Sequence, residues 1–338
     1  MTINRRQFLL ATAATSAVGG LAACSGKENV VIDSSLPLSP YGAKSTAEDV
    51  TQGMDLSGKT ALVTGCNSGI GYETMRVLAL RGAHVFGTGR TLEKAQKACA
   101  SVEGNTTPLA LELSDFASCV RCAEQLKELI DTLDILIPNA GIGMMTDFEL
   151  INGIEKIWTV NYLGHVVLTM NLLPAIQSAT GGRIVHVGSA ASYTLVPEGG
   201  IDFDNLRGEG EFSGFNAYGR SKLANALFSL QLARMLDPIK TTSNVIHPGL
   251  VKTNIGRNAN GLVGILYKSI APLLPRKNLA EGAATQVYVA TSPLLTTVSG
   301  AYFEDCNPVK ITGPNHVFDT ALAKQLWELT QGMLEGYI

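Results

Sequence analysis

A tyrosine and a lysine in this sequence are spaced so that they could carry out proton transfer. Tyr218 and Lys222 lie four residues apart in a predicted helix over residues 215–236, so their side chains share one face of that helix. The pKa of a tyrosine hydroxyl is about 10, which makes it a poor acid–base catalyst at neutral pH. A nearby ammonium group stabilises the phenolate and brings that pKa towards the working range. The pair therefore predicts an acid–base site, although this spacing alone is common by chance.

Two polar residues earlier in the chain could join this site. Ser189 follows a predicted strand over residues 183–187 and could orient a carbonyl group beside Tyr218, or it could be a turn or helix-cap serine. Asn161 lies in an otherwise apolar helical stretch, where a buried amide costs free energy unless it is hydrogen-bonded. Asn161 could therefore belong to a structural network or hold a catalytic water.

A glycine-rich turn predicts a site for the pyrophosphate of a dinucleotide. Gly65, Gly69 and Gly71 have the spacing GxxxGxG, between a short apolar strand over residues 60–64 and the start of a helix. Glycines in such a turn let backbone amides approach a pyrophosphate, and the positive end of the helix dipole favours its negative charge. A turn of this composition could also be purely structural, so the other motifs must support it.

The residues after the next predicted strand, 84–88, indicate which nucleotide would bind. NAD sites of this kind carry a carboxylate there, which binds the ribose hydroxyls. Here the strand runs into Thr88, Gly89 and Arg90 without an acidic residue. A guanidinium group pairs well with a 2′-phosphate, so Arg90 favours NADP over NAD; a solvated surface arginine is the alternative.

Two more turns follow buried predicted strands and would lie at the same sheet edge. Asn139, Ala140 and Gly141 form a tight turn at the carboxyl end of one strand, where ligands bind in open α/β folds. Pro248 and Gly249 follow another strand and predict a rigid turn whose backbone could face a nicotinamide.

Predicted strands and helices alternate along the chain, which indicates βαβ units and a parallel sheet. The sequence therefore predicts an α/β fold with a parallel sheet of about seven strands. A long helix is expected over 151–177, and further strands near 108–113 and 300–303. With 338 residues, 46% of them hydrophobic, the chain can bury a large core. With a net charge of −3, the chain lacks the excess of basic residues that is typical of nucleic-acid-binding proteins.

The cysteines do not indicate a metal or disulfide site. Cys119 and Cys122 form a CxxC pair within an amphipathic helical pattern, and no second pair with metal-ligand spacing accompanies them. We interpret them as packing residues and expect no metal. Five cysteines follow Cys24 in the chain, and an odd number argues against a complete disulfide framework.

The first 24 residues resemble an export signal rather than part of the fold. Arg5 and Arg6 resemble a twin-arginine motif, an uncharged apolar stretch follows, and the residues that end at Cys24 resemble the lipobox of bacterial lipoproteins. We expect a lipid anchor at Cys24, on the periplasmic side of a bacterial membrane, to be the only membrane contact. A hydrophobic anchor helix is one alternative, and a wrongly assigned start in a cytoplasmic protein is another. Residues 25–53 are predicted to be a linker and an N-terminal extension.

The motifs and their order along the chain resemble those of the short-chain dehydrogenases/reductases, in particular the retinol-dehydrogenase-like branch. The resemblance rests on the three turns together with Asn161, Ser189 and Tyr218-x-x-x-Lys222, and it covers residues from about 41 to at least 303. It implies a Rossmann-type doubly wound parallel sheet of about seven strands in a single domain over residues 54–338. It also implies an NADP-dependent oxidoreductase that interconverts an alcohol and a carbonyl, with Tyr218 as acid/base. Lys222 would lower the tyrosine pKa, Ser189 would position the substrate oxygen and Asn161 would hold a water. The alternative is a non-catalytic nucleotide-binding or scaffold protein on the same fold.

The resemblance also implies which residues line the cofactor. They lie in the turns after the predicted strands and in the helix of the tyrosine–lysine pair: Gly65, Asn67, Ser68, Gly69, Ile70, Gly71, Arg90, Glu112, Asn139, Ala140, Gly141, Tyr218, Lys222, Pro248, Gly249, Val251 and Thr253. Glu112 stands where the family usually has an aspartate, and Pro138 removes one backbone donor from the usual Asn-Asn-Ala-Gly. An apolar stretch over residues 254–275 favours a small lipophilic substrate, with ordinary helix packing as the alternative. Homodimers or homotetramers are usual in the family.

Overall fold

One sheet of nine strands, flanked by helices, organises the part of the chain that the computed structural model describes, residues 29–143, 147–207, 210, 212–252 and 276–338. The strands of this part are β1 Val30–Ile32, β2 Thr60–Val63, β3 His84–Gly89, β4 Thr106–Ala110, β5 Ile135–Ile137, β6 Leu150–Ile151, β7 Ile154–Glu155, β8 Gly182–Val187, β9 Thr241–His247, β10 Tyr302–Glu304 and β11 Asn307–Ile311. Its α-helices are α1 Gly69–Leu80, α2 Leu92–Cys99, α3 Phe116–Leu129, α4 Lys156–Trp158, α5 Gly164–Gln177, α6 Ala191–Thr194, α7 Gly214–Met235, α8 Leu279–Thr291 and α9 Thr320–Met333. A π-helical turn, Thr159–Leu163, joins α4 to α5.

Seven neighbouring strands of the sheet are parallel, in the order β10-β9-β8-β5-β2-β3-β4. The chain starts this set at β2 and builds outwards on both sides, so the strand order reverses between β2 and β5. This is the doubly wound arrangement that the resemblance implies. Ligands bind at such a reversal, outside the carboxyl ends of the strands.

Two antiparallel strands, β11 and β1, extend the sheet beyond β10 and are not predicted by the sequence pattern. β1 pairs with β11 along its whole length, with Val30 opposite Ile311. Residues 25–53, predicted to be a linker and an N-terminal extension, include β1 of this sheet, and Ala47 in the same stretch lies fully inside the core. Val31 and Ile32 are both exposed, so β1 shows no alternation of buried and exposed side chains. Main-chain pairing with β11 and the packing of Val30 against the core place it in the sheet.

The helix expected over residues 151–177 begins later and is not uniform. β6 and β7 form a hairpin around Asn152 and Gly153, which have positive φ angles of 51° and 78°. An Asn-Gly pair is a strong hairpin signal, and here it outweighs the apolar pattern. The two carboxylate oxygens of Glu155 then accept hydrogen bonds from the backbone N of Ile157 (2.7 Å) and of Trp158 (2.8 Å). These bonds cap α4 and set the true start of the helix.

Helices cover both faces of the sheet and bury a hydrophobic core on each. α1 and α8 pack on one face, where Met75 and Tyr288 are buried. α3, α5 and α7 pack on the other. The C-terminal helix α9 lies along α7, where Trp327 stacks on Phe228 with ring centroids 5.9 Å apart. The last helix of the chain is therefore part of the core that holds α7 in place.

The cysteines of the described part are all buried free thiols: Cys66, Cys99, Cys119, Cys122 and Cys306. Burial raises the pKa of each thiol, to about 12 for Cys122. Cys119 and Cys122 lie in the core between α3 and the sheet, which confirms their interpretation as packing residues.

Candidate active site

The carboxyl ends of four neighbouring strands bring the predicted motifs to one edge of the sheet. β2 leads into the glycine turn, β5 into Asn139, β8 into Ser189 and β9 into Pro248. These strands are adjacent in the order β9-β8-β5-β2, so the turns that follow them are neighbours. α7, which carries Tyr218 and Lys222, packs on β8 and β9.

Close packing explains the glycines after β2. Gly65 has a φ angle of 74°, and a Cβ there would lie 2.9 Å from the Cβ of Ala140. A Cβ on Gly71 would lie 2.6 Å from the carbonyl O of Gly65 and would overlap the Asn139 side chain. The absence of these side chains lets the first turn of α1 pack directly on the turn after β5. The predicted phosphate turn and the Asn-Ala-Gly turn therefore form one packed unit.

The N-terminus of α1 presents backbone amides that no side chain caps. Ser68 occupies the N-cap position, but its side chain accepts no hydrogen bond from the helix. Asn67 and Ser68 are exposed, and Gly69 has a φ angle of 68°. Uncapped amides at a helix N-terminus bind phosphate groups well. The N-terminus of α1 thus fits the pyrophosphate of a dinucleotide.

Thr64, between β2 and the glycine turn, ties two strand ends together. Its Oγ1 accepts hydrogen bonds from the backbone N of Asn139 (2.9 Å) and of Ala140 (2.8 Å). Asn139 Nδ2 in return donates to the carbonyl O of Thr64 over 2.7 Å. The other amide atom of Asn139, Oδ1, is buried and has no hydrogen-bond partner within the described residues. Such an acceptor suits a hydroxyl or amide donor of a bound nucleotide.

Lys222 is buried beside Tyr218 on α7. The lysine is 4% exposed, and its Nζ lies 5.8 Å from the centre of the Tyr218 ring. Nζ donates a hydrogen bond to the carbonyl O of Val187, at the end of β8, over 2.9 Å. Burial lowers the pKa of Lys222 to about 8. The site therefore holds an ammonium group that gives up its proton more readily than a lysine in water does.

Asn161 is fully buried in the π-helical turn, and its side chain is completely engaged. Oδ1 accepts from the backbone N of Ile142 (2.8 Å), while Nδ2 donates to the carbonyl O of Ile142 (3.0 Å) and to Ser221 Oγ (3.1 Å). Ser221 Oγ donates in turn to the carbonyl O of Tyr218 over 2.8 Å. Of the two interpretations of Asn161, the structural network is the one observed. Its role in holding a water stays a prediction.

Ser189 lies half-buried between β8 and α6. Its Oγ accepts a hydrogen bond from the backbone N of Ala191 over 3.2 Å, which is the turn bond expected of a serine at a helix start. The backbone N of Ala190, the residue between Ser189 and Ala191, donates to Nδ1 of His247 over 3.2 Å. These bonds fix the loop after β8, and the proton of the Ser189 hydroxyl stays available to donate to a substrate oxygen.

Arg90 and Glu112 follow β3 and β4. Arg90 is exposed, and its guanidinium makes no hydrogen bond or ion pair with any residue that the structure describes. Glu112 Oε1 accepts from the backbone N of Ser114 (3.1 Å) and from its Oγ (2.7 Å). The structure therefore leaves Arg90 open to an anion, whereas the carboxylate of Glu112 is bonded within its own loop.

The turn after β9 closes the other side of the site. Gly249 has a φ angle of 85°, and Val251 pairs with Lys277 in a single parallel bridge. A Cβ on Gly282, at the start of α8, would lie 2.7 Å from Val251 and 2.9 Å from Ile70. The glycine turn and the turn after β9 thus meet at the start of α8. Thr253 and the apolar stretch over 254–275 lie outside the described residues.

Two residues of the site, His165 and Lys277, give little signal in the sequence. His165 connects Thr64, which begins the glycine motif, to Asn161, and Lys277 forms an ion pair with Asp305 over 2.6 Å behind Gly249. The one local hint is that His165 follows Asn161 by four residues, which places both on one helix face.

Comparison with known proteins places the chain in a family. Residues 59–201 match the family model described as short chain dehydrogenase. Over 312 residues the chain is 40% identical to short-chain dehydrogenase TIC 32 A, chloroplastic, of Brassica napus, and the match covers 88% of this chain and 95% of that protein. The chain belongs to the short-chain dehydrogenase family.

Further relatives of this short-chain dehydrogenase agree with the resemblance drawn from the motifs. Retinol dehydrogenase 14 of Homo sapiens is 34% identical over 300 residues, which cover 82% of this chain and 87% of that protein. The solved Pseudomonas aeruginosa RhlG/NADP active-site complex is 28% identical, covers 74% of this chain and 96% of that one, and has a TM-score of 0.59. The chain is therefore an oxidoreductase of a family that uses a nicotinamide cofactor, and the predicted fold class is confirmed.

Membrane-spanning helices and metal clusters are both absent from the described parts of this short-chain dehydrogenase. None of the helices there is long and apolar enough to cross a membrane. No group of three or more His, Cys, Asp or Glu side chains within those same ranges could hold a metal ion. The predicted signal over residues 1–24, with Cys24, lies outside the described residues and stays a prediction.

Proposed function

We propose that this short-chain dehydrogenase is an NADP-dependent oxidoreductase that interconverts an alcohol and a carbonyl compound, with Tyr218 as the acid/base. The observation that carries the proposal is the burial of Lys222 one helical turn from Tyr218, with its ammonium 5.8 Å from the centre of the tyrosine ring. A positive charge at this distance stabilises the phenolate relative to the phenol. Tyr218 is itself only 8% exposed, so water screens this attraction weakly.

In the direction of reduction, the protein binds the substrate oxygen and gives it a proton. The Ser189 hydroxyl, at the end of β8, would donate a hydrogen bond to the carbonyl oxygen and orient it. The Tyr218 hydroxyl would then transfer its proton to that oxygen, and Lys222 would stabilise the phenolate that remains. The bound nicotinamide supplies the hydride in this direction and accepts it in the other. In oxidation the phenolate takes the proton of the alcohol.

The position of Arg90 supports NADP over NAD. It follows β3 directly, is exposed and makes no polar contact with the described residues, and no carboxylate lies beside it in the loop. A guanidinium can bind a 2′-phosphate with two parallel hydrogen bonds, whereas the ribose hydroxyls of NAD call for a carboxylate. The Pseudomonas aeruginosa relative was solved as an active-site complex with NADP, which agrees with this choice.

Two observations support a lipophilic substrate. The stretch over residues 254–275 is rich in leucine, isoleucine and valine and follows the turn after β9 in the chain. The human relative is named for retinol, a lipophilic alcohol. An apolar wall with few polar groups would select such a substrate by excluding water.

Turnover assays test this function. Purified protein is given NADPH or NADH with long-chain aldehydes, retinal and steroid ketones. We expect oxidation of NADPH with at least one of them, lost in Tyr218→Phe while the affinity for NADPH stays within about twofold. Tyr288→Phe, which removes a buried hydroxyl on α8, is the matched control and should keep activity. No turnover with any carbonyl, by a protein that binds NADPH, would count against the proposal.

We also propose that a lipid on Cys24 holds the protein at a membrane. The support is the order of twin arginines, apolar stretch and lipobox-like residues in the sequence. Palmitate labelling and cell fractionation of the wild type and of Cys24→Ala test it. Label and membrane association should both be lost in the variant; an unlabelled wild type in the cytoplasmic fraction would refute the anchor.

A further inference from the structure

A chain of hydrogen bonds links the turn after β5 to the helix that carries Asn161, and His165 is its central member. His165 Nε2 lies 3.0 Å from Thr64 Oγ1, and His165 Nδ1 lies 3.2 Å from the carbonyl O of Asn161. Thr64 Oγ1 also holds the backbone amides of Asn139 and Ala140. The His165 side chain is buried, with the residue 2% exposed, so water does not compete for these bonds.

The partners of His165 determine its tautomer. A hydroxyl oxygen has two lone pairs and one proton. Backbone N–H groups occupy both acceptor positions of Thr64 Oγ1, so the hydroxyl proton points to His165 Nε2. Nε2 is therefore unprotonated, and the ring proton is on Nδ1, which donates it to the Asn161 carbonyl. Both nitrogens of the ring are then satisfied.

The surroundings of His165 keep the ring neutral. Burial lowers its pKa to about 4; the bond to the Asn161 carbonyl raises the pKa, and the nearby charge of Lys222 on α7 lowers it again. His186 on β8 also faces this region, and burial lowers its pKa to about 3. An uncharged ring at pH 7 is what an acceptor at Nε2 requires.

The carbonyl that His165 holds belongs to an irregular part of its helix. Asn161 lies in the π-helical turn, where the regular pattern of helical hydrogen bonds is interrupted. The side chain of Asn161 bonds to Ile142 after β5 and to Ser221 on α7, and Ser221 bonds to the carbonyl of Tyr218. Fixing Asn161 therefore fixes the distance between the turn after β5 and α7, the helix that carries Tyr218.

We propose that His165 is a positioning residue for the reaction. As a neutral imidazole with its proton on Nδ1, it connects the Asn161 carbonyl to the Thr64 hydroxyl. It thereby holds the turn after β5, Asn139 to Gly141, against the helix of Tyr218. It touches no reacting atom and acts through Thr64 and Asn161. Its effect on turnover rests on the proposed function, whereas the tautomer and the effect on cofactor binding do not.

The tautomer is measured by long-range proton–nitrogen correlation spectra of the full-length protein with ¹⁵N-labelled histidine. The chain has five histidines, and the signals absent from His165→Phe or His165→Asn assign the ring. We expect a neutral ring with its proton on Nδ1 at pH 7. A ring protonated on Nε2, or on both nitrogens, would overturn the proposal.

The effect on the site is measured as NADPH affinity by fluorescence titration, with kcat and KM for the carbonyl. We expect His165→Phe to weaken NADPH binding about tenfold and to lower kcat about tenfold, because two buried hydrogen bonds are lost. His165→Asn keeps an N–H near the Nδ1 position, so it should recover kcat more than NADPH affinity. His186→Phe is the matched control: His186 is a buried histidine whose Nε2 has no partner among the described residues, and its loss should change either quantity by less than about twofold.

The outcomes separate this proposal from the proposed function. If His165→Phe and His165→Asn match His186→Phe in NADPH affinity and kcat, His165 only fills space and the proposal is refuted. If the wild type binds NADPH but reduces no carbonyl, the proposed function fails, and the NADPH affinities still decide the role of His165. Should His165→Phe not fold, His165→Asn is compared with His186→Asn in the same way.

Discussion

Replacing Lys222 by methionine is expected to abolish turnover and, at the same time, to stabilise the protein at neutral pH. Lys222 is 4% exposed and, within the described part of the chain, its Nζ donates one hydrogen bond, to the carbonyl of Val187. Burial lowers the pKa of this ammonium from 10.5 to about 8. Since an unfolded chain returns the lysine to water, folding bears the cost of keeping the charge in the interior.

The pKa shift sets the size and the pH dependence of the effect. Below pH 8 the lysine is charged in both states, so the full cost applies, about 3 kcal/mol at about 1.4 kcal/mol for each pKa unit. Between pH 8 and pH 10.5 the unfolded state binds more protons than the folded state, so this cost falls as the pH rises. Methionine removes the charge but leaves the Val187 carbonyl unpaired, which costs about 1 kcal/mol. We expect a net gain of about 2 kcal/mol at pH 7, which disappears by about pH 10.

Urea unfolding of the cofactor-free wild type and variant at pH 7 and pH 10 measures this difference in stability. The fluorescence of the buried Trp158 and Trp327 reports the unfolding. Lys240→Met, which changes an exposed lysine, is the matched control and should stay within about 0.5 kcal/mol of the wild type at both pH values. If Lys222→Met is no more stable than the wild type at pH 7, or if its advantage does not shrink towards pH 10, burial does not lower the pKa of Lys222 to this extent.

Three further predictions follow from the same contacts. Arg90→Ala should weaken NADPH binding at least about tenfold in a fluorescence titration and leave NADH binding nearly unchanged. The control Lys97→Ala, which removes an exposed lysine, should bind NADPH like the wild type. Equal losses of affinity for both nucleotides in Arg90→Ala would exclude a contact with the 2′-phosphate. Gly71→Ala should abolish NADPH binding because its Cβ meets the Gly65 carbonyl at 2.6 Å, whereas Gly332→Ala on α9, where a Cβ meets nothing within 4 Å, should bind normally. Trp327→Ala should lower the free energy of unfolding in urea by about 3–5 kcal/mol through loss of its packing on Phe228, and an unchanged value would show that α9 is not part of the core.

The features that the sequence predicts well are those whose residues are close together in the chain. The glycine turn and the Tyr218–Lys222 pair are each specified within a few residues, and the periodicity around them fixes whether they lie on a turn or a helix. The seven parallel strands follow from the alternation of apolar strands and helices. For the same reason the edge at which Asn139, Ser189 and Pro248 meet could be predicted from their positions after strands.

The features that the sequence does not reveal depend on contacts between distant residues. His165 matters because of Thr64, which is 101 residues earlier in the chain. No local pattern marks that pair, and a buried histidine on an apolar helix is compatible with simple packing. β1 is similar, because two of its three side chains are exposed and its partner β11 lies at the other end of the sequence. Glu112 shows a further limit: its position after a strand is predictable, but its bonds to Ser114 are not.

The pairing of β1 with β11 has a consequence for how the protein is made. Val30 finds its partner only when Ile311 has been synthesised, roughly 280 residues later. At about 5–20 residues per second, a ribosome needs about 15 to 60 seconds to reach that point. Throughout this time the residues of β1 lack their partner strand, and α9, which packs on α7, is still to come. A factor that binds the first residues during translation therefore meets an unfinished domain, and one that requires a folded domain must wait for the C-terminus.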